Sequence, residues 1–146
     1  MIVKEYKNLR QQVAELLVIR ASGHDLDSQR EYPNWELRNQ DLKRLLEEGV
    51  GGVILFGGNL QELKYRCKKL TNWAKKPIFF CADVEEGIGH RFPGGSWLIP
   101  PYSIGLIYKQ DPLKAIFLAK QYGKCVGSEA RQCGLNLVLA PVCDVN

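Results

Sequence analysis

Three carboxylates, a histidine and an arginine fall within the nine residues Asp83-Val84-Glu85-Glu86-Gly87-Ile88-Gly89-His90-Arg91, directly after the apolar run Pro77-Ile78-Phe79-Phe80-Cys81-Ala82. A carboxylate that leaves an apolar strand is held by the rigid backbone behind it. Such a group can hydrogen-bond sugar hydroxyls, bind a metal or carry a proton. Asp83 occupies that position, and Arg91 is placed to orient a carboxylate or clamp a ligand. Glu86 and His90 have no partner visible in the sequence and read as ordinary polar loop residues. A second acidic tip, Asp144 with Asn146, follows the apolar run of residues 135–142. An aspartate there serves either a ligand or the amides of its own loop. Phe92, Trp97 and Tyr102 form either a stacking wall for a sugar or base, or plugs that pack the loop onto the body. The plug reading is preferred.

These side chains need elements to aim them. Residues 3–14 read as a short helix leading into the strand Leu16-Leu17-Val18-Ile19, and residues 22–35 as a polar loop. Leu37, Leu42, Leu45 and Leu46 share one helical face, and Gly49 stands where that helix stops. Residues 51–56 form a second apolar strand. Asn59 caps a helix whose Leu63, Cys67, Leu70 and Ala74 make an apolar stripe. Residues 77–82 are the third strand, and 84–110 a long Gly/Pro-rich stretch. Asp111-Pro112 opens a helix carrying Leu113, Ile116, Phe117, Val126, Ala130 and Cys133, which Gly134 ends. Residues 135–142 are the fourth strand.

The order is therefore β-α-β-α-β-α-β with continuous apolar strands, the pattern of a parallel sheet buried on both faces. Neither G-x-G-x-x-G nor G-x-x-x-x-G-K-[ST] follows a strand, which disfavours a nucleotide-binding α/β protein. The fold expected is α/β, built from parallel (β/α) units that make about half of a TIM (β/α)8 barrel. A complete barrel takes about 250 residues. The 146 residues thus read as a single incomplete domain, the N-terminal portion of a larger barrel. Unpaired edge strands and open apolar faces would make such a piece marginal alone, or a homodimer through its sheet edges.

Composition narrows the classes further. The chain is 45% hydrophobic, 25% charged and carries a net charge of +4. No apolar stretch is long enough for a membrane span, and residues 1–12 show no secretory core. The basic residues Lys64, Arg66, Lys68, Lys69, Lys75 and Lys76 read as a solvated helix face, so neither nucleic acid nor membrane is an expected partner. Five cysteines, without a C-x-x-C pair, point to reduced thiols in the cytoplasm and away from a zinc site or disulfide scaffold.

Several motifs in order resemble one family. G-V-G-G-V-I-L-F (49–56), D-V-E-E-G-I-G-H-R-F-P-G-G (83–95), Pro100-Pro101, Gly105, Asp111-Pro112 and G-L-N-L-V-L-A-P-V-C-D-V-N (134–146) resemble the N-terminal barrel domain of glycoside hydrolase family 3. The likeness is to its bacterial β-N-acetylhexosaminidases and related β-glucosidases, over about residues 12–146. It implies retaining hydrolysis of terminal β-linked sugars, β-N-acetylglucosaminides favoured, through a covalent glycosyl-enzyme. It implies a small-molecule carbohydrate substrate and no cofactor or metal. Asp83 matches the aspartate that hydrogen-bonds the non-reducing terminal sugar, Arg91 an arginine of the same subsite, and Glu85 a structural acid. Asp144 matches the aspartate of the A-P-V-x-D-V motif at the barrel rim.

The family nucleophile, an aspartate on a late strand, and the histidine of the K-H-F-P-G-H-G loop match positions beyond residue 146. No catalytic residue is therefore assigned within the chain. His90-Arg91-Phe92-Pro93-Gly94-Gly95 resembles that histidine loop only superficially, since it stands in register with a different motif. The family loop commonly reads D-x-E-G-G-R-V-x-R. Here Glu86 replaces its first glycine, Ile88 its first arginine and Gly89 an apolar residue, which bears on sugar preference. The alternatives are a β-glucosidase of the same family and a non-catalytic sugar-binding or interaction module.

Overall fold

The structure, a computed structural model, describes residues 8–144. The elements run α1 (Leu9–Glu15), β1 (Val18–Ser22), α2 (Asn39–Glu48), β2 (Gly52–Phe56), α3 (Leu60–Ala74), β3 (Phe79–Ala82), α4 (Pro101–Tyr108), α5 (Pro112–Cys133) and β4 (Leu137–Val138), with short 3-10 turns at Asp27–Gln29 and Ile88–His90. The strands form one parallel sheet in the order β1-β2-β3-β4. That order never reverses, so the sheet has no switch point of the doubly wound kind. It is the progression of a (β/α)8 barrel, followed for four strands.

Local chemistry explains the element ends. Asn59 Oδ1 accepts the amides of Gln61 and Glu62, and Glu62 Oε2 accepts the Asn59 amide, each at 3.0 Å. This reciprocal box opens α3. Asp111 Oδ1 accepts the Lys114 amide at 3.0 Å and Pro112 begins α5. Gly134 closes α5 at φ 94°, a left-handed conformation that a side chain resists.

Two strands differ from the sequence expectation. β1 starts at Val18, because α1 ends later than an apolar run suggests: the Leu16 and Leu17 amides donate back to Val13 and Ala14. Leu16 is a turn residue, 84% exposed. β4 has two ladder residues instead of eight. Leu135 belongs to the helix end, with its amide on the Ala130 carbonyl, and the ladder continues only through the Leu139 amide to Ala82. The stretch 84–110 holds a whole helix, α4, which starts on the Pro100-Pro101 pair.

The core lies between the sheet and its helices. Ala21, Val53, Leu55, Phe80 and Ala82 point at Leu42 and Leu46 of α2, Leu63 and Leu70 of α3, and Val126 and Ala130 of α5. Each such Leu contributes about 1.5–3 kcal/mol by leaving water. Burial on both faces holds only in part: Cys81 and Ser22, on the face opposite Val53 and Phe80, are buried, but other positions of that face are open. Phe79 is 56% exposed, and Val18, Leu137 and Leu139 are exposed with it. Among the described residues no helix covers these positions of the sheet.

Arg66 also departs from expectation. It is buried, not solvated: Nε donates to the Ser22 carbonyl at 3.0 Å and the guanidinium reaches Asp25 at 3.6 Å. Desolvation lowers its pKa while Asp25 opposes the shift. An arginine still stays charged there, so it works as a clamp between α3 and the end of β1.

Candidate functional site: the carboxyl rim of the sheet

All four strands point their carboxyl ends the same way, so the loops after β1, β2, β3 and β4 share one rim. The loop after β3 is the most fully braced. Its buried plugs are Ile88 and Phe92, both fully buried. From α5, Tyr122 donates its hydroxyl to the Glu85 carbonyl at 2.7 Å, and Glu129 accepts the Ser96 amide and hydroxyl at 3.0 and 2.6 Å. Burial pushes the Tyr122 phenol up, helped by the carboxylates of Glu86 and Glu85, so it remains a donor.

Asp83 leaves β3 half-buried. Its carbonyl accepts Arg91 Nε at 3.1 Å. Among the described residues its carboxylate makes no hydrogen bond or ion pair, so its oxygens are open to a ligand. Arg91 is exposed, and it grips the Asp83 backbone, not the Asp83 carboxylate. Asp144 lines a rim cavity of about 380 Å³ with Glu85, Pro100, Pro101, Tyr102 and Val142. The structure thus brings Asp83 together with Arg91, and Asp144 together with Glu85, on adjacent loops of one rim. Asn146 lies outside the described residues. Of the three loop aromatics, Phe92 is a plug, whereas Trp97 and Tyr102 stand exposed.

The rim after β1 carries residues that the polar-loop reading missed. His24 Nε2 accepts the Gly58 amide at 3.0 Å, Nδ1 lies 3.2 Å from Glu62, and Glu31 stands 3.7 Å away. The signal available was a histidine two residues beyond a strand. The Arg20 guanidinium sits 4.0 Å from the Phe56 ring centre, 5.0 Å from Trp35 and 5.8 Å from Tyr32. A cation directly after the apolar run 16–19 was the sign of such an aromatic nest.

A larger cavity of about 590 Å³ lies between α4, α5 and β4, walled by Ile104, Ala119, Gly123, Val126 and Val138 among others. Its lining is apolar, with Glu85 at its edge. Among the described residues no group of three or more His, Cys, Asp or Glu side chains is arranged to hold a metal ion. No described helix is long and apolar enough to cross a membrane.

Residues 8–146 match the model of the glycosyl hydrolase family 3 N-terminal domain. The chain belongs to this family. Among similar proteins, a beta-hexosaminidase of Stenotrophomonas maltophilia is 36% identical over 114 residues, covering 75% of this chain and 34% of that protein. A beta-hexosaminidase of Thiobacillus denitrificans is 35% identical over 115 residues, covering 76% and 32%. NagZ from Neisseria gonorrhoeae, solved in complex with N-trifluoroacetyl-D-glucosamine, superposes with a TM-score of 0.65 at 24% identity, over 84% of this chain and 36% of that one. The family 3 chain described here therefore spans about a third of the length of the relatives it matches. Its sheet corresponds to part of their barrel.

Two residues of the loop after β3 serve its fold. Ile88 is a core plug. Gly89 lets the chain fold back on itself: a Cβ there would overlap the Gly95 carbonyl and Ser96. The Gly89 amide instead donates to the Ser96 carbonyl at 2.9 Å.

Proposed function

We propose that this chain forms the sugar-recognising part of a family 3 retaining β-glycosidase that removes terminal β-linked N-acetylhexosamine. The observation that carries the proposal is the unpartnered Asp83 carboxylate at the carboxyl end of β3, beside Arg91, in a chain whose relatives are named beta-hexosaminidases. A carboxylate free of protein partners accepts two neighbouring hydroxyls of a pyranose, and Arg91 supplies donors to the same ring. Asp144, with Glu85 on the neighbouring wall, lines the flank of that subsite. The carboxyl and histidine groups that break the glycosidic bond come from residues outside 1–146. The substrate is a small carbohydrate, and the buried thiols suit a cytoplasmic setting.

The test is titration of the 146-residue chain with N-acetylglucosamine, followed by backbone amide shifts. The residues after β3 should respond, and Asp83→Asn should weaken binding about tenfold, the value of a charge-assisted hydrogen bond. Purified chain should release no nitrophenol from an aryl β-N-acetylglucosaminide. Saturable binding of glucose in preference to the N-acetyl sugar would turn the reading to the β-glucosidase branch. Ile88 in place of the family arginine is the feature that would explain such a result.

A further inference from the structure

Trp97 is 68% exposed, yet nothing about its position is loose. On one side Ser96 is bound through its amide and hydroxyl to Glu129 at 3.0 and 2.6 Å. On the other, the Leu98 amide donates to the Glu86 carbonyl at 2.7 Å. The indole is held twice more. Nε1–H donates to Glu86 Oε2 at 2.8 Å, and the ring stacks on the His90 imidazole, with centres 5.8 Å apart and planes inclined by 30°. With an imidazole stacked beside the ring and a carboxylate at one edge, most of the tryptophan's surface still lies open to solvent. A large aromatic already fixed in one orientation loses little entropy when a ligand lies on it.

The residues of this loop converge on the ring. Glu86 supplies the carboxylate at the indole edge. Ile88 anchors the turn in the core. Gly89 lets the Ser96-Trp97 backbone pass at close range. His90, which stacks on the indole, is the residue before Arg91, and Arg91 binds the Asp83 carbonyl. The ring and the two groups assigned to a sugar therefore belong to one braced turn.

We infer that the exposed indole of Trp97 is a stacking platform for a second pyranose ring. A terminal sugar held by Asp83 has a neighbour only on its reducing side, so the platform is the subsite for the leaving group. This rests on the proposed function. A β-linked pyranose with equatorial substituents presents a row of C–H bonds on one face, and the electron-rich indole face receives them. The carboxylates of Asp83, Glu85 and Glu86 in the same turn repel phosphate, which disfavours a nucleotide in that place.

The test compares N-acetylglucosamine with its β-1,4-linked dimer on the 146-residue chain, by calorimetry or amide shifts. The dimer is expected to bind at least about fivefold tighter than the monomer. Trp97→Ala should bring that ratio near one, Trp97→Phe should keep most of it, and Glu86→Ala should lower it by removing the acceptor at the indole edge. Asp83→Asn should weaken both ligands by a similar factor. If the monomer binds and the dimer binds no tighter, or if Trp97→Ala leaves the ratio unchanged, the platform is wrong and the Asp83 subsite stands. If neither sugar binds the wild-type chain, both are wrong.

Discussion

Cys67, Cys81 and Cys133 are buried, Cys125 is partly covered and Cys143 is exposed. Burial pushes the Cys67 thiol from its ordinary value near 9 up to about 12, and the neighbouring Cys133 adds to the shift. Burial also raises Cys133, and Cys81 with the Asp83 carboxylate beside it. In the unfolded chain these thiols would ionise first as pH rises. The stability due to neutral buried thiols is therefore complete below about pH 9 and is lost as pH climbs toward 12. The melting temperature should fall above pH 9, with a shallower slope in Cys67→Ala; a melting temperature unchanged to pH 10.5 would contradict this. At pH 8 a thiol reagent should modify Cys143 quickly and the three buried cysteines only on unfolding. The position of Asp83 at a strand end was legible, because an acid directly after an apolar run needs no partner to be recognised. The roles of Glu86 and His90 were not, since their partner Trp97 lies on the returning arm of the loop.

At the scale of elements, helices were easier to read than strands. Those of α2, α3 and α5 announce themselves by apolar period and caps, since both signals are local. The α3 box makes this measurable: Asn59→Ala should cost about 0.5–2 kcal/mol in urea unfolding. β1 was misplaced because Leu16 and Leu17 are as apolar as the strand they precede, and only the register of Val18 on Gly52 decides where pairing starts. α4 was hidden by Gly105 and the surrounding prolines, and its place is set by packing on α5. The loop after β3 depends on α5 in the same way. Glu129→Gln weakens the grip on Ser96, so amides 89–98 should exchange several-fold faster with deuterium while those of α3 stay protected. Unchanged exchange in that loop would remove Glu129 from the bracing.

Among the described residues, one face of the sheet is covered by helices and the other is covered only in part. Phe79, Val18, Leu137 and Leu139 on that face, and Leu113 and Phe117 at the start of α5, are exposed apolar groups. Patches of this kind draw partners, and β1 and β4 are the free edges of the described sheet. The 146-residue chain should therefore self-associate as its concentration rises, and Phe79→Lys should shift sedimentation toward the monomer. A wild-type monomer at high concentration would show that the open face is tolerated.

What the amino-acid order determined alone was the sequence of (β/α) units, their capped helices and an acidic tip after the third strand. These depend on periodicity, on side-chain caps and on neighbours a few residues apart. The tertiary structure decided the rest. It set the register of the strands, buried Arg66, left Phe79 bare, and brought Glu86, His90 and Trp97 onto one another. Each of those outcomes depends on which distant surfaces meet, and that is a property of the packed chain rather than of any segment within it.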